Sequence, residues 1–182
     1  LRGGGFALGE GGEAVVVGAG GAARAVVYGL LKAGMARVLV LNRTPARAEG
    51  LVTDMISAGL AADHLALDRL SAEALTAAAQ RSSLMVNATT VGMWPKTAAS
   101  VWPEEISIPD HLAVYDLVYN PLETQLLRQA RASGARPIDG LGMLARQGAL
   151  ALDLWVEQTL DVEAVTAQMR DVCEEALADR RG

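Results

Sequence analysis

The residues best suited to chemistry form one short run, Gly18-Ala19-Gly20-Gly21-Ala22-Ala23-Arg24-Ala25. Gly18, Gly20 and Ala23 fit the pattern G-x-G-x-x-A, and each small residue has a mechanical reason. Gly18 allows a tight strand-to-helix turn, and Gly20 lets the backbone approach a pyrophosphate with no Cβ in the way. Ala23 lets the helix lie close on the strand. The amides that open the helix then face the anion, and the helix dipole favours it. Gly18, Ala19, Gly20, Gly21 and Ala22 are therefore candidate dinucleotide contacts.

A second set, Asn42-Arg43-Thr44 with Arg47 one helical turn on, bears on which dinucleotide. An NAD site usually has Asp or Glu here, accepting bonds from the ribose hydroxyls. A carboxylate would repel the 2′-phosphate of NADP, whereas a guanidinium, an amide and a hydroxyl attract it. Each charge-assisted hydrogen bond contributes about 1.5–3 kcal/mol. Arg47 can stack on the adenine or add a second charge. Two cations at a helix start also oppose the dipole, so they ask for an anionic partner. NADP is the expected cofactor.

The elements that must hold these groups alternate. Strands are expected at 14–18, 37–42, 64–67, 84–87, 112–117 and 136–139. Helices are expected at 22–33, 46–57 behind Pro45, 72–79 behind Ser71, and 123–133 closed by Gly134. That alternation indicates an α/β fold, a Rossmann-like, doubly wound and mostly parallel six-stranded sheet with C-terminal helices. Residues 89–109 read as one long irregular loop, of the kind that is functional or mobile. After Gly140 the chain is helical with a break near Leu160-Asp161. The last helix has an apolar stripe at Val162, Val165, Met169, Val172, Ala176 and Leu177 that wants a partner surface.

With 182 residues, 51% of them hydrophobic and 20% charged, the chain fits one globular α/β domain of ordinary size. A net charge of −5 argues against a nucleic-acid partner. No apolar run reaches the roughly 18–20 residues of a membrane span, and no signal peptide is recognisable. The lone Cys173 offers neither an internal disulfide nor a Cys-based metal site, which fits a cytoplasmic location. The sequence carries no signal for an oligomeric state.

Five blocks, in order and spacing, resemble the shikimate dehydrogenase family. They are the glycine turn, Asn42-Arg43-Thr44 with Arg47, Asn87-Ala88-Thr89-Thr90-Val91-Gly92-Met93, Tyr115-Asp116-Leu117-Val118-Tyr119-Asn120-Pro121, and Asp139-Gly140-Leu141-Gly142-Met143-Leu144 followed by Gln147. The resemblance implies an enzyme that reduces 3-dehydroshikimate to shikimate with NADPH, on the way to chorismate and the aromatic amino acids. It further implies that Asn87, Ala88 and Thr89 line the nicotinamide side of the cofactor, with Leu117, Gly140 and Met143. Tyr119 and Gln147 resemble the family's substrate contacts. Quinate/shikimate dehydrogenases are a close variant, expected to prefer NAD and to lack an Arg at position 43. Glutamyl-tRNA reductase also carries an Asn-Arg-Thr, but it lacks the Asp-Gly-Leu-Gly-Met block.

One departure is large. The family's catalytic Lys-Asp pair lies in an amino-terminal substrate domain, and nothing here matches it. The two lysines, Lys32 and Lys96, have no matching motif around them, and His64 and His111 read as surface residues. No catalytic or metal-binding residue is therefore assigned. Residues 1–12, with Phe6 to Glu10 as a helix tail, are expected to be a remnant of an inter-domain connection. Residues 13–140 form the NADP-binding domain, and 141–182 are helices packing toward a missing substrate domain. A stand-alone module that binds NADP without chemistry is the alternative.

Overall fold

The computed structural model describes residues 11–156 and 159–179. The expected helix tail at Phe6 to Glu10 lies outside them, as does nearly all of the connection assigned to 1–12. Six parallel strands, β1 (Glu13–Val17), β2 (Arg37–Asn42), β3 (Leu65–Arg69), β4 (Leu84–Asn87), β5 (Ala113–Asp116) and β6 (Arg136–Ile138), form one sheet. Their order is β3-β2-β1-β4-β5-β6. The chain winds outward from β1 in one direction and then from β4 in the other. The switch point between β1 and β4 is where open α/β sheets bind ligands. The expected fold class is the observed one.

Period-two alternation divides the core between the two faces of the sheet. Val16, Val38, Val40 and Val86 point to one side, with Ala23, Val27 and Leu30 of α1 (Gly21–Lys32) and Leu51 of α2 (Pro45–Ser57). Val15, Val17, Met85 and Val114 point to the other. There they meet Leu75 of α3 (Ala72–Arg81) and Leu126 and Leu127 of α4 (Gln125–Ala132).

Two of the boundaries that differ from the sequence reading do so for a local reason, and the long loop departs from it in another way. His64 closes a short 3-10 turn, Ala62–His64, before β3, with its Nδ1 2.6 Å from the Ala36 carbonyl. Helix α4 starts at Gln125 because the Thr124 hydroxyl caps it, accepting from the Leu127 amide at 3.3 Å. The connection between β4 and β5 has no regular helix or strand, yet it is pinned. Trp102 and Ile108 are buried in the second core, and Trp102 Nε1 donates to the Ile106 carbonyl at 2.6 Å. Ser100 donates to Gln129 Oε1 at 2.6 Å, which ties the loop to α4.

The last two helices, α5 (Leu141–Trp155) and α6 (Val162–Asp179), pack on each other. The expected break falls between them, where Asp161 Oδ1 accepts from the Glu163 and Ala164 amides. Part of the α6 stripe that was expected to turn toward a missing domain is taken up by α5. A Cβ placed on Gly148 would stand 2.9 Å from Met169 Sδ, and Val162, Val165 and Met169 are half-buried. Val172 stays 65% exposed. Among the described residues the most exposed large apolar side chains are on α5 instead, Leu154 and Trp155, 83% and 81% exposed.

At the carboxyl ends of β4 and β5 two fully buried polar residues meet. Asn87 Nδ2 donates to Asp116 Oδ1 at 2.9 Å. The same carboxylate accepts from the Val118 amide at 3.1 Å and from the Thr124 hydroxyl at 2.7 Å. Burial pushes the Asp116 carboxyl above its ordinary range, against the pull of the Thr124, Val118 and Asn87 hydrogen bonds. Stability from a raised carboxyl is full at low pH and is lost as pH rises through the folded value. Asp116→Asn should therefore show a pH-dependent difference from the parent. The parent should lose melting temperature relative to the variant as pH climbs from about 4 toward neutral. A constant difference across that range in thermal melts would refute a raised carboxyl. Asp116→Ala should cost about 1–3 kcal/mol for each stranded donor.

Candidate functional site

The turn after β1 is shaped by close backbone approach. Gly18 has φ +112°, and a Cβ there would lie 2.9 Å from the Ala88 carbonyl, so only glycine fits. Its amide donates to the Leu41 carbonyl at 2.8 Å, which sets the turn against β2. In front of Gly20 and Gly21 a Cβ would meet nothing within 4 Å. The turn thus presents bare backbone to open space, as a ligand approaching the start of α1 requires. Arg24 braces it from behind, donating to the Ala19 carbonyl and to Asp54 Oδ2 of α2, both at 2.8 Å.

A cavity of about 440 Å³ opens over this turn. Gly18, Ala19 and Gly20 form its floor, and Asn42, Arg43 and Arg47 form the wall at the end of β2. Ala88, Thr89, Thr90, Val91, Gly92 and Lys96 form the wall beyond β4, while Leu70, Ala99 and Val101 add apolar surface. Among the described residues no carboxylate lines it. Asn42 Nδ2 donates to the Thr44 carbonyl at 2.9 Å, fixing the bend that carries Arg43.

Of the residues expected at the site, the cavity gathers Gly18, Ala19, Gly20, Asn42, Arg43, Arg47, Ala88 and Thr89. Gly21 and Ala22 lie on the first turn of α1, beyond the lining, and Thr44 is exposed at the start of α2. Asn87 is wholly buried. Its amide nitrogen serves Asp116 and the Val91 carbonyl, and its Oδ1 accepts from the Thr89 amide and hydroxyl. It shapes the wall from behind while Ala88 and Thr89 present it.

Of the residues expected at the nicotinamide end, Ala88 and Thr89 line the cavity, whereas Leu117, Gly140 and Met143 lie outside its lining. Ala88, Leu117 and Met143 share one apolar cluster. Gly140 packs so tightly on Leu117 that a Cβ there would collide with the Leu117 carbonyl. Asp139 fixes this corner by accepting from the Leu141 amide at 2.9 Å and from both terminal nitrogens of Arg170 on α6, at 3.1 and 2.9 Å. Burial acts to raise the Asp139 carboxyl, but the Arg170 hydrogen bonds and charge and the Leu141 and Gly142 amides hold it below its ordinary value. Burial, then the Asp139 charge, pushes the Tyr115 hydroxyl up to about 12, with Arg170 opposing. Tyr119 and Gln147 lie outside the cavity lining and make no side-chain hydrogen bond among the described residues.

Sequence reasoning passed over Leu70, Val101 and Lys96, whose approach to the cavity depends on how two loops fold back. Lys96 left one faint signal, as one of two lysines in the chain. Among the described residues no cluster of His, Cys, Asp or Glu is placed to hold a metal ion, and no helix is long and apolar enough to cross a membrane.

A family described as shikimate / quinate 5-dehydrogenase matches residues 7–101, and a shikimate 5′-dehydrogenase C-terminal domain matches residues 140–170. The chain is 42% identical over 170 residues to the shikimate dehydrogenase (NADP(+)) of Moorella thermoacetica, covering 93% of this chain and 55% of that protein. Among solved structures, shikimate 5-dehydrogenase from Thermus thermophilus, in complex with NADP(H) and shikimate, is similar. It has a TM-score of 0.74 and 39% identity over 95% of this chain and 59% of that one. The Listeria monocytogenes enzyme, in complex with shikimate and NAD, gives 0.80 at 30% identity, over 93% and 59%. The chain thus spans about half the length of the curated relatives it matches. With both segments matched in chain order on a sheet of this topology, the chain belongs to the shikimate/quinate 5-dehydrogenase family.

Proposed function

We propose that this chain is the NADP-binding part of a shikimate dehydrogenase, which interconverts 3-dehydroshikimate and shikimate. The observation that carries the reading is the cavity itself. Its floor is bare glycine backbone at a helix start, and one wall carries Arg43 and Arg47 with no carboxylate beside them among the described residues. Such a lining suits a dinucleotide with an additional phosphate on its ribose.

NADPH, when bound, supplies the hydride that turns a ketone into an alcohol. The chain's own residues bind and orient. The turn at Gly18 to Gly21 and the amides of α1 take the pyrophosphate, while Arg43, with Asn42, Thr44 and Arg47, takes the 2′-phosphate. Ala88, Thr89, Leu117, Gly140 and Met143 form the side that meets the nicotinamide. Tyr119 and Gln147 offer a hydroxyl and an amide to the substrate from the same end of the sheet. The proton that accompanies the hydride is assigned to groups outside the described residues. In support, Lys32 stands over the Tyr28 ring at 5.6 Å, and neither Lys32 nor Lys96 pairs with a carboxylate among the described residues.

Titrating NADPH with the protein and following nucleotide fluorescence tests the cofactor. Arg43→Ala should weaken NADPH about tenfold or more while leaving NADH nearly unchanged. Equal weakening of both would remove the 2′-phosphate role from Arg43. The 182-residue chain should show negligible NADP reduction with shikimate, since lost proton transfer alone costs about 10²–10⁴-fold. Turnover comparable to that of a full-length relative would overturn the assignment of proton transfer elsewhere.

A further inference from the structure

Three cations line the cavity over the glycine turn, and they arrive from opposite sides of β1. Arg43 and Arg47 follow β2, whereas Lys96 belongs to the loop that follows β4. In the sheet β1 lies between those two strands, so the turn at its end lies between the two sources of charge. None of the three side chains has an ion pair or hydrogen bond among the described residues. In a chain with a net charge of −5, three uncompensated cations around one cavity without a carboxylate repel one another until an anion enters.

The Lys96 backbone is held in place. Its amide donates to the Met93 carbonyl at 2.9 Å, and the Trp94 amide donates to the Asn120 carbonyl at 3.0 Å. A Cβ on Gly92, where φ is +90°, would meet the Ala99 carbonyl at 3.1 Å, so the loop is folded closely on itself. The lysine is therefore carried by a fixed segment to the rim of the cavity. Lysine also suits the task, since it is a compact charge on a long stem and a common phosphate partner.

We propose that Lys96 is a cofactor-binding residue that contacts the pyrophosphate bridge from the β4 side, facing Arg43 and Arg47 across the glycine turn. This inference rests on the dinucleotide reading above and adds a division of labour. Arg43 reads the phosphate that distinguishes NADP, while Lys96 holds the one that NADP and NAD share. The side chain is exposed, so its loss leaves the core intact.

The test is the affinity of the 182-residue protein for NADPH and NADH, by nucleotide fluorescence, with Lys96→Met and Lys96→Arg beside the parent. Lys96→Met should weaken both nucleotides by a similar factor of about tenfold. Lys96→Arg should restore most of the binding, and added salt should shrink the gap between Met variant and parent. Loss confined to NADPH would overturn the proposal by assigning Lys96 to the 2′-phosphate, and so would unchanged affinity for both. If the parent itself binds neither nucleotide, the functional reading fails. Binding by the parent with no effect of Lys96→Met sinks only the role of the lysine. Thermal melts of each variant should match the parent, so that a loss of affinity reports the contact and not unfolding.

Discussion

A buried hydrogen bond between Asn87 and Asp116, 2.9 Å long, fastens the carboxyl ends of two neighbouring strands. Much of the site hangs from it. Asn87 also holds Thr89 and Val91, and so shapes the wall beyond the turn. Asp116 reaches Thr124, whose hydroxyl starts α4, and the Val118 amide, which directs the chain toward Tyr119. A buried carboxylate is costly unless it is bonded, and here three donors surround it. That cost is what makes the arrangement specific, since any shift of β5 against β4 would strand donors and acceptor together.

The charge distribution follows a related logic. A protein with a net charge of −5 keeps carboxylates out of one cavity and gathers cations there. Beyond the carboxyl end of β6, the Asp139 carboxylate is answered by the paired nitrogens of Arg170. That ion pair joins α6 to the corner carrying Gly140, so the last helix supports the shape of the site without touching the cavity.

Much of this was legible in the sequence because it is local. Small residues at fixed spacing around Gly18 define the turn, β-branched runs define the inner strands, and Asn42-Arg43-Thr44 stands at the end of β2. What stayed hidden depends on folding back. Nothing in the spacing of Asn87 and Asp116 says that they meet. Trp102 and Ile108 anchor a segment whose composition reads as loop, because burial is decided by the surface the loop returns to. Lys96 reaches the cavity by the same return. On α6 the apolar stripe was readable, and so was the helix before it, but not that α5 would fold back to cover the first turns of α6. Tyr119 and Gln147 were readable only through family resemblance, as polar residues with no side-chain partner among the described residues.

The brace behind the glycine turn has a practical corollary. Arg24 fixes the Ala19 carbonyl and Asp54 together, so the turn and α2 behave as one mechanical part. Both Arg24 and Asp54 are partly exposed, and the ion pair contributes little to overall stability. Its role is alignment between the glycine turn and the helix that carries Arg47. Anyone recasting the cofactor preference by transplanting a strand-to-helix segment from an NAD-dependent relative would therefore have to carry an acid to position 54. Without it, Arg24 would keep its hold on the Ala19 carbonyl but lose the partner that ties the turn to α2.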